Sequence, residues 1–300
     1  MRKTGAARRA WNPEKYLRFT EARMRPVVDL LGQIAKKDVG RVVDVGSGRG
    51  IATGLIHGRW PRAEIVCADS SQAMLDRAEE DHGKRVCSFV RSDFESFFSS
   101  RQEVDFDRGE DGFDLVFSNA ALHWIDFESQ EKLFPKIMAC LKPGGVFAFQ
   151  MPDTRQQASH VSMQRAIENL GFQEDLKGKR CWVTTERDPS DYYKLLRPFC
   201  GNVDLWATEY THVFHHSKEE EHPVVAFTSS TGLGPFVDAL SSSSSEEKGI
   251  AFLEEEYDRF IREAYRPFLM IGPSSQFEEK VLFSMKKRFF CVASKKKEYY

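Results

Sequence analysis

Asp44, three closely spaced glycines and two further acids at strand ends are the residues of this 300-residue chain best placed to do chemistry. Arg41–Gly50 reads RVVDVGSGRG, a buried-strand pattern that runs into a glycine turn with Asp44 on the strand side. Turns that cradle a pyrophosphate use Gly-x-Gly-x-x-Gly, so that the anion meets a helix N-terminus. Here the spacing is Gly46-x-Gly48-x-Gly50. The charge of Asp44 repels a pyrophosphate and attracts a cofactor that carries an ammonium and a sulfonium. Asp69 follows Gly50 by 19 residues, where an acid can accept both hydroxyls of a ribose or cap the next helix, with Ser70 or Ser71 competing for the cap. Asp93 in VRSDFESF, with Phe94 beside it, can hydrogen-bond and stack an adenine, or be a solvated turn acid. In DLVFSNAALHW, Asn119, Ala120, His123 and Trp124 follow a fourth strand and face the reactive pole of such a cofactor, with core packing the alternative for Trp124.

These positions need a scaffold that aligns strand ends. The first half alternates strands and helices in the manner of a parallel α/β sheet. Strands are predicted at Arg41–Val45, Glu64–Ala68, Val86–Val90, Phe113–Ser118 and Val146–Gln150. Pro26 can open a helix whose Val27, Leu30, Leu31 and Ile34 share a face, with Lys36 and Lys37 in its last turn. Leu133, Phe134, Ile137 and Leu141 make another apolar stripe, stopped by Lys142-Pro143-Gly144-Gly145. Beyond Met151 the rhythm changes: strand candidates at Val203–Val213 and Arg288–Ser294 flank a mostly helical insertion, clearest at Leu253, Tyr257, Phe260, Ile261 and Ala264. Ser241–Ser245 reads as a linker, and Ser244 with Glu247 fits a capping box. The insertion is expected over the C-terminal ends of the strands, where open α/β sheets bind ligands.

Composition narrows the class. With 43 basic and 45 acidic residues the formal net charge is -2, so no global field recruits nucleic acid or an anionic membrane. At 41% hydrophobic and 12% aromatic residues, a globular, soluble domain with a sizeable core is expected. Cys67, Cys87, Cys140, Cys181, Cys200 and Cys291 show no C-x-x-C pair and read as reduced thiols of a cytoplasmic protein. No run is long and apolar enough for a transmembrane helix, and Arg2, Lys3, Arg8 and Arg9 read as a frayed basic tail or a fragment of a targeting sequence.

S-adenosylmethionine (SAM) carries the ammonium, sulfonium, ribose and adenine these residues would meet. Together, DVGSGRG, ADSSQAML, SDF, DLVFSNAALHW and LKPGG resemble the class I SAM-dependent methyltransferases over about Asp38 to Gln150. The resemblance implies a doubly wound, mostly parallel seven-stranded Rossmann-like sheet with an antiparallel last strand, an N-terminal helical lid and a helical cap. It divides the chain into a tail and lid at 1–37 and a methyltransferase domain at 38–300, with cap insertions at about 152–200 and 217–284. Cofactor contacts are implied for Asp44, Gly46, Gly48, Asp69, Ser70, Met74, Asp93, Phe94, Asn119 and Ala120. Arg49 stands where the family often has a small residue or proline, so its side chain must point away from the methionine pocket or pair with the methionine carboxylate.

A closer resemblance, to the trans-aconitate methyltransferases, extends nearly end to end. WNPEKYLRFTEARMRPVVDLL, RWPRAEIVCADSSQAML, SNAALHWI, LKPGGVFAFQMPD with its following SH, and TSSTGLGPFVDAL carry it. It implies transfer of the SAM methyl group to one carboxylate of a small polycarboxylic acid, giving a methyl ester and S-adenosylhomocysteine. A carboxylate has a pKa of about 4 and is already a nucleophile, so positioning dominates and neither a general base nor a metal is expected. Other small acids, acyl thioesters and phenols stay open as acceptors, as does a non-enzymatic SAM-binding partner protein. Nucleic-acid or protein amide methylation is disfavoured because Ser118-Asn119-Ala120-Ala121 replaces the proline-rich tetrad of those enzymes.

A polyanionic acceptor calls for arginines, whose planar fork binds carboxylates bidentately. Candidates are Arg23, Arg25, Arg155, Arg180 and Arg197, each of which a surface salt bridge would also explain. Tyr16, with Trp11 and Phe19, supplies lid contacts, His123 and Trp124 line the methyl-transfer end, and His160 is a further substrate candidate or an ordinary helix-start histidine. His212, His215 and His216 lack a completing ligand and read as a solvated strand end, and Glu219–Glu221 and Lys295–Lys297 as solvated charges. Thr228–Gly232 either approaches the substrate or ends a helix. A monomer or homodimer with a small-molecule acid as its partner is expected.

Overall fold

Apolar runs such as VVDV and DLVF leave almost no polar face for solvent, which is the pattern of central parallel strands covered on both sides. The computed structural model describes residues 20–99, 112–154, 156–174, 176, 188–216, 221–229, 232–240, 246–266, 269–270 and 279–297. In chain order the elements are α1 (Thr20–Gly32), β1 (Arg41–Val45), α2 (Ile51–Arg59), β2 (Glu64–Asp69), α3 (Gln72–His82), β3 (Ser88–Arg91), α4 (Phe94–Ser99) and β4 (Phe113–Asn119). A 3-10 turn at Leu122–Trp124 leads to α5 (Phe127–Cys140), β5 (Leu141–Pro152), α6 (Ala158–Asn169), α7 (Pro189–Leu196) and β6 (Cys200–His216). Then come α8 (Pro223–Ser229), α9 (Gly234–Leu240), α10 (Glu246–Tyr265), β7 (Leu269–Met270) and β8 (Glu279–Lys295).

The strand order is β3-β2-β1-β4-β5-β8-β6, with the short β7 paired to β8. Strands β1 to β5 pair in parallel and β8 runs antiparallel to β5. The winding reverses between β1 and β4, and that reversal opens a crevice at their carboxyl ends. This is the doubly wound sheet with an antiparallel last strand that the sequence predicts.

Alternation of side chains sorts each strand into two faces. One face carries Val43, Val116, Phe147, Phe149 and Phe289, and it clusters with Phe134 of α5 and Tyr192 of α7. Phe134 meets Phe147 edge-on at 5.1 Å, and Tyr192 lies 5.0 Å from Phe289. Burying each such side chain contributes roughly 1.5–3 kcal/mol, and an aromatic pair adds roughly 0.5–1.5 kcal/mol. The registers place Asp69, Cys67, Asp44, Asn119, Gln150 and Arg288 on the opposite face, across β2, β1, β4, β5 and β8. The switch-point edge of that face is polar.

Three local expectations need correction. Pro26 lies inside α1 rather than at its start, and the helix ends at Gly32, before Lys36 and Lys37. A proline removes one helical bond, which the burial of Val27, Leu30, Leu31 and Ile34 offsets. Strand β3 begins at Ser88, two residues later than predicted, and Leu141 opens β5 instead of closing α5. The register jumps from Phe113–Leu141 to Leu115–Val146, so Lys142–Gly145 bulge out of the ladder. A Cβ at Gly145 would sit 2.9 Å from the Phe113 carbonyl oxygen, which explains glycine there. The linker Ser241–Ser245 and the capping serine Ser244 lie outside the described residues.

Contacts divide the chain into two units: Arg23–Asp153, Val183–Thr208 and Lys287–Tyr300 form one, and Met1–Ala22, Thr154–Trp182 and Glu209–Lys286 the other. In the latter, the predicted stripe of α10 buries Leu253, Tyr257, Phe260 and Ile261. The Arg165 guanidinium of α6 covers the Phe260 ring at 4.4 Å, and Thr228 Oγ1 lies 2.8 Å from the Tyr257 hydroxyl. Thr228 is thus engaged inside this unit.

At the N-terminal edge of the sheet, Asp114 accepts bonds from the Gly40 and Arg41 amides at 3.0 Å each and pairs with Lys36 at 3.0 Å and Lys142 at 3.2 Å. Burial raises its pKa, but the Lys36 bond, the Gly40 amide and Lys142 outweigh burial and hold it below the ordinary value of 3.8. Its stabilisation is present above that value and is lost as pH falls through the lowered one. Asp114→Ala is expected to cost about 3 kcal/mol in urea denaturation at pH 7, because two amides and two ammonium groups lose their shared partner. A loss below about 1 kcal/mol would mark the cluster as a screened surface pair.

Candidate cofactor site at the switch point

The turn after β1 is clamped to the end of β2. The Gly46 and Ser47 amides donate to the Ala68 carbonyl at 2.8 and 3.1 Å, and the Gly48 amide donates to Asp69 Oδ2 at 2.9 Å. Gly46 has φ +68°, and a Cβ there would lie 2.3 Å from that of Ala121 and 3.4 Å from the Phe94 ring. Only glycine lets this turn meet the segments after both β4 and β3. Arg49 turns away: its Nε and Nη2 reach Asp81 Oδ2 of α3 at 3.1 and 2.6 Å.

Asp44 is buried, and its Oδ2 accepts one bond, from Thr53 Oγ1 of α2 at 2.8 Å. Thr53 Oγ1 also lies 3.2 Å from Cys67 Sγ. Once the threonine proton points at the carboxylate, the thiol is the donor in that second contact. Among the described residues Asp44 Oδ1 has no hydrogen-bond partner. Burial pushes the carboxyl up to about 7, against the Thr53 bond and with help from the Asp69 charge. A buried carboxylate with one unpartnered oxygen fits an ammonium group, and the SAM ammonium meets that requirement.

Asp69 receives the Gly48 amide on one oxygen and the Ser71 amide on the other, at 2.8 Å. Neither bond exhausts its lone pairs, so hydroxyl donors can still be accepted. Ser71 rather than Asp69 is the N-cap of α3; Ser70 is exposed and Met74 half-buried on the first turn. Asp93 lies two residues beyond β3 and caps α4, accepting the Ser96 amide at 2.8 Å and its hydroxyl at 3.0 Å. Those bonds, the amide first, hold its carboxyl below the ordinary range. Phe94 abuts the glycine turn, whereas the Asp93 carboxylate is engaged as a cap.

Asn119 ends β4, and its Oδ1 accepts from Gln150 Nε2 at 2.5 Å. Ala120 has φ +50°, unusual for a residue with a side chain, and its amide donates to the Gln150 carbonyl at 3.0 Å. His123 is buried with Nδ1 unpartnered among the described residues, and burial, then the charge of Arg288, lowers its pKa to about 3. It stays neutral at physiological pH. Trp124 is 50% exposed, which removes the core-packing alternative.

Several positioning residues escaped the sequence reading. Buried Gln130 donates to the Leu122 and Ile125 carbonyls at 3.1 Å each and accepts from the Tyr192 hydroxyl at 2.9 Å, fixing the turn that carries His123. Ser118 Oγ bonds the Val45 carbonyl at 3.0 Å, joining β4 to the residue before the glycine turn. Arg288 enters opposite Pro152 at the same edge, and its Nη1 reaches Gln150 Oε1 at 3.4 Å. The antiparallel last strand was the available signal: where its pairing with β5 begins, it lies beside the last residue of β5.

The expected acceptor contacts are scattered. Arg197 is at the other edge: its Nη1 bonds the Cys200 carbonyl at 2.9 Å, and the neighbouring Phe199 carbonyl accepts the amide of Lys296, just past the Ser294 that pairs with Val146. Arg197 therefore holds a turn far from the switch point. Lys295 and Lys296 bond the Leu141 and Pro198 carbonyls rather than being simple solvated charges. Arg23 is half-buried in the first turn of α1, and Arg25 is exposed. His160 is buried in the other unit with Nδ1 3.1 Å from Ser159 Oγ. Tyr16, Arg155 and Arg180, with Trp11, Phe19 and Cys181, lie outside the described residues, as do the side chains of His215 and His216. Among the described residues no three His, Cys, Asp or Glu gather as metal ligands, and no helix is long and apolar enough to cross a membrane.

The strand order and the acid-flanked glycine turn define a class I SAM-dependent methyltransferase, and residues 42–145 match the family model described as a methyltransferase domain. The chain is 35% identical over 255 residues to the trans-aconitate 2-methyltransferase of Paracidovorax citrulli, covering 85% of this chain and 90% of that one. It is 33% identical over 289 residues to that of Rhodopseudomonas palustris strain BisA53, covering 95% and 99%. Among solved structures, YcgJ of Bacillus subtilis aligns at 13% identity with 90% and 97% coverage and a TM-score of 0.48. The chain belongs to the trans-aconitate 2-methyltransferase family.

Asp44 sets a pH signature. Its pKa is raised by folding, so the SAM-free protein loses stability as pH rises from about 4 to about 7 and carries the full burial penalty above 7. Asp44→Asn is expected to raise the melting temperature of the SAM-free protein at pH 8 and leave it little changed at pH 4, while weakening SAM binding about 10- to 100-fold at pH 7.5. Equal melting temperatures at pH 8, or undiminished SAM affinity, would contradict this. Thr53→Val removes the bond that lowers the Asp44 pKa and should move the midpoint of the SAM affinity profile upward from about 7. An unmoved midpoint in calorimetric titrations would detach Thr53 from the carboxylate.

Proposed function

We propose that this protein esterifies one carboxylate of a small polycarboxylic acid, trans-aconitate or a close relative, with the methyl group of SAM. The observation that carries the acceptor class is the identity of 33–35% to the relatives named above over most of their length. When bound, SAM supplies an electrophilic methyl: a carboxylate oxygen bonds to the methyl carbon, the carbon–sulfur bond breaks, and its electron pair neutralises the sulfonium.

The chain's residues have positioning work to do. Asp44 takes the ammonium, the turn at Gly46 and Gly48 lets the cofactor approach the backbone, and Asp69 with Ser70 receives the ribose. Phe94 and Met74 flank the adenine with Asp93 beside them, while Asn119 and Ala120 face the methionine portion. His123 and Trp124 line the acceptor end. With a pKa of about 3, His123 is too weak a base to deprotonate a phenol of pKa about 10. A carboxylate needs no deprotonation, so the same neutral side chain is compatible with it. The phenol alternative loses support for that reason.

Incubation with methyl-labelled SAM and a panel of mono-, di- and tricarboxylic acids, followed by mild base, releases volatile labelled methanol from esters. The expected result is release with unsaturated polycarboxylates in preference to monocarboxylates. SAM binding without label transfer to any polycarboxylate would overturn the reading.

A further inference from the structure

We infer that Gln150 is a positioning residue: it holds the Asn119 side chain with Nδ2 turned into the crevice, as an N–H donor for a carboxylate. That carboxylate belongs either to the methionine portion of SAM or to the acceptor, and only the second source rests on the polycarboxylate reading above.

The polarity of the two amides follows from what each neighbour can give. Gln150 is buried to 1% exposure, and its Oε1 lies 3.4 Å from Arg288 Nη1. Whatever else it contacts, a guanidinium has donors and no acceptor, so the Gln150 atom turned toward it must be the oxygen. That leaves Nε2 for Asn119, where it donates to Oδ1 at 2.5 Å. The reversed pair of amides would also bond to one another, but it would set N–H against N–H at Arg288. With Oδ1 committed to Gln150, Nδ2 is the end that Asn119 presents. Among the described residues the Asn119 side chain makes no second hydrogen bond.

The main chain is held by the same residue. The Gln150 carbonyl accepts the amide of Ala120 at 3.0 Å, just where φ is +50°. One residue of β5 therefore fixes both the side chain that ends β4 and the turn that follows it. Asn119 is half-buried and falls on the face that holds Asp44. Asp44 pairs with Phe117, so Asn119 stands one same-face position farther toward the carboxyl ends of the strands. The two groups are complementary: the acid suits an ammonium and repels a carboxylate, whereas an amide N–H suits a carboxylate. An N–H does not serve an amine acceptor, which has to give up a hydrogen of its own.

The full-length protein is titrated calorimetrically with S-adenosylhomocysteine, with its decarboxylated analogue and, in the presence of S-adenosylhomocysteine, with trans-aconitate. Gln150→Glu keeps an acceptor for Arg288 but, when ionised, has no N–H for Asn119, so the Asn119 amide turns round and presents its oxygen. It is expected to weaken one carboxylate ligand about 10- to 100-fold, the scale of a lost hydrogen bond to a charged group, with the decarboxylated analogue weakened by no more than about twofold. A loss with S-adenosylhomocysteine assigns the donor to the cofactor, and a loss with trans-aconitate alone assigns it to the acceptor. The uncharged Gln150→Met only releases the amide and should cost less, about 2- to 10-fold. In an Asn119→Ala background it should cost nothing further. Equal losses for all three ligands, no selective loss for either carboxylate, or a Gln150→Met loss that persists beside Asn119→Ala would make Gln150 structural and overturn the inference. A wild-type protein that binds S-adenosylhomocysteine but no polycarboxylate would instead overturn the acceptor reading, and the comparison of S-adenosylhomocysteine with its decarboxylated analogue would then decide the inference alone.

Discussion

A buried carboxylate with one of its two oxygens unpartnered among the described residues is the constraint around which this molecule is arranged. Asp44 occupies a central strand, where sequence alternation and the helix above it keep water out. Thr53 satisfies one oxygen and nothing among the described residues satisfies the other. The protein without cofactor meets this by shifting the carboxyl toward its neutral form. His123 is shifted the opposite way, also chiefly by burial. Between about pH 4 and 6.5 the two contributions to stability have opposite slopes, because folding favours the protonated acid and the deprotonated imidazole. Below about pH 7 the edge of the sheet thus holds both polar groups mostly in neutral form until a ligand arrives to partner them.

The rest of the unit makes that edge hold still. The glycine turn is tied down on several sides: by Ala68 and Asp69 at the end of β2, by Ser118 of β4 through the Val45 carbonyl, and by Arg49 paired with Asp81 of α3. The turn carrying His123 is secured from the core side by Gln130 and Tyr192, which bring a polar network into an otherwise apolar cluster. Such a network holds geometry well when every member is paired, as these are. At the opposite edge Asp114, at the start of β4, joins the approach to β1 with the start of β5. One edge is closed by satisfied charges, and the other is left open to ligands.

What could be read from the sequence divides along the same line. Asp44, the glycines and the five parallel strands are written in local spacing, and the structure places them accordingly. Asp69 was legible as a strand-end acid, although its engagement with the Gly48 and Ser71 amides was not. Arg288 and Gln150 depend on register between strands 138 residues apart, which no local pattern encodes. Arg197 failed for the converse reason. Its type suited an acceptor, but the direction of β6 carries its neighbourhood to the wrong end of the sheet. Asp93 shows a third kind of limit, since an acid just before a helix serves as a cap as readily as it serves a ligand.

The central claim, that the unpartnered oxygen of Asp44 receives the cofactor's ammonium, makes binding a proton-releasing event at acidic pH. Calorimetry of SAM binding at pH 6 in buffers of different ionisation enthalpy measures that release directly. With the Asp44 carboxyl titrating at about 7, close to one proton per SAM should leave the wild-type protein, and Asp44→Asn should release essentially none. Binding heats at pH 6 that do not depend on the buffer, or a release that persists in Asp44→Asn, would contradict the account.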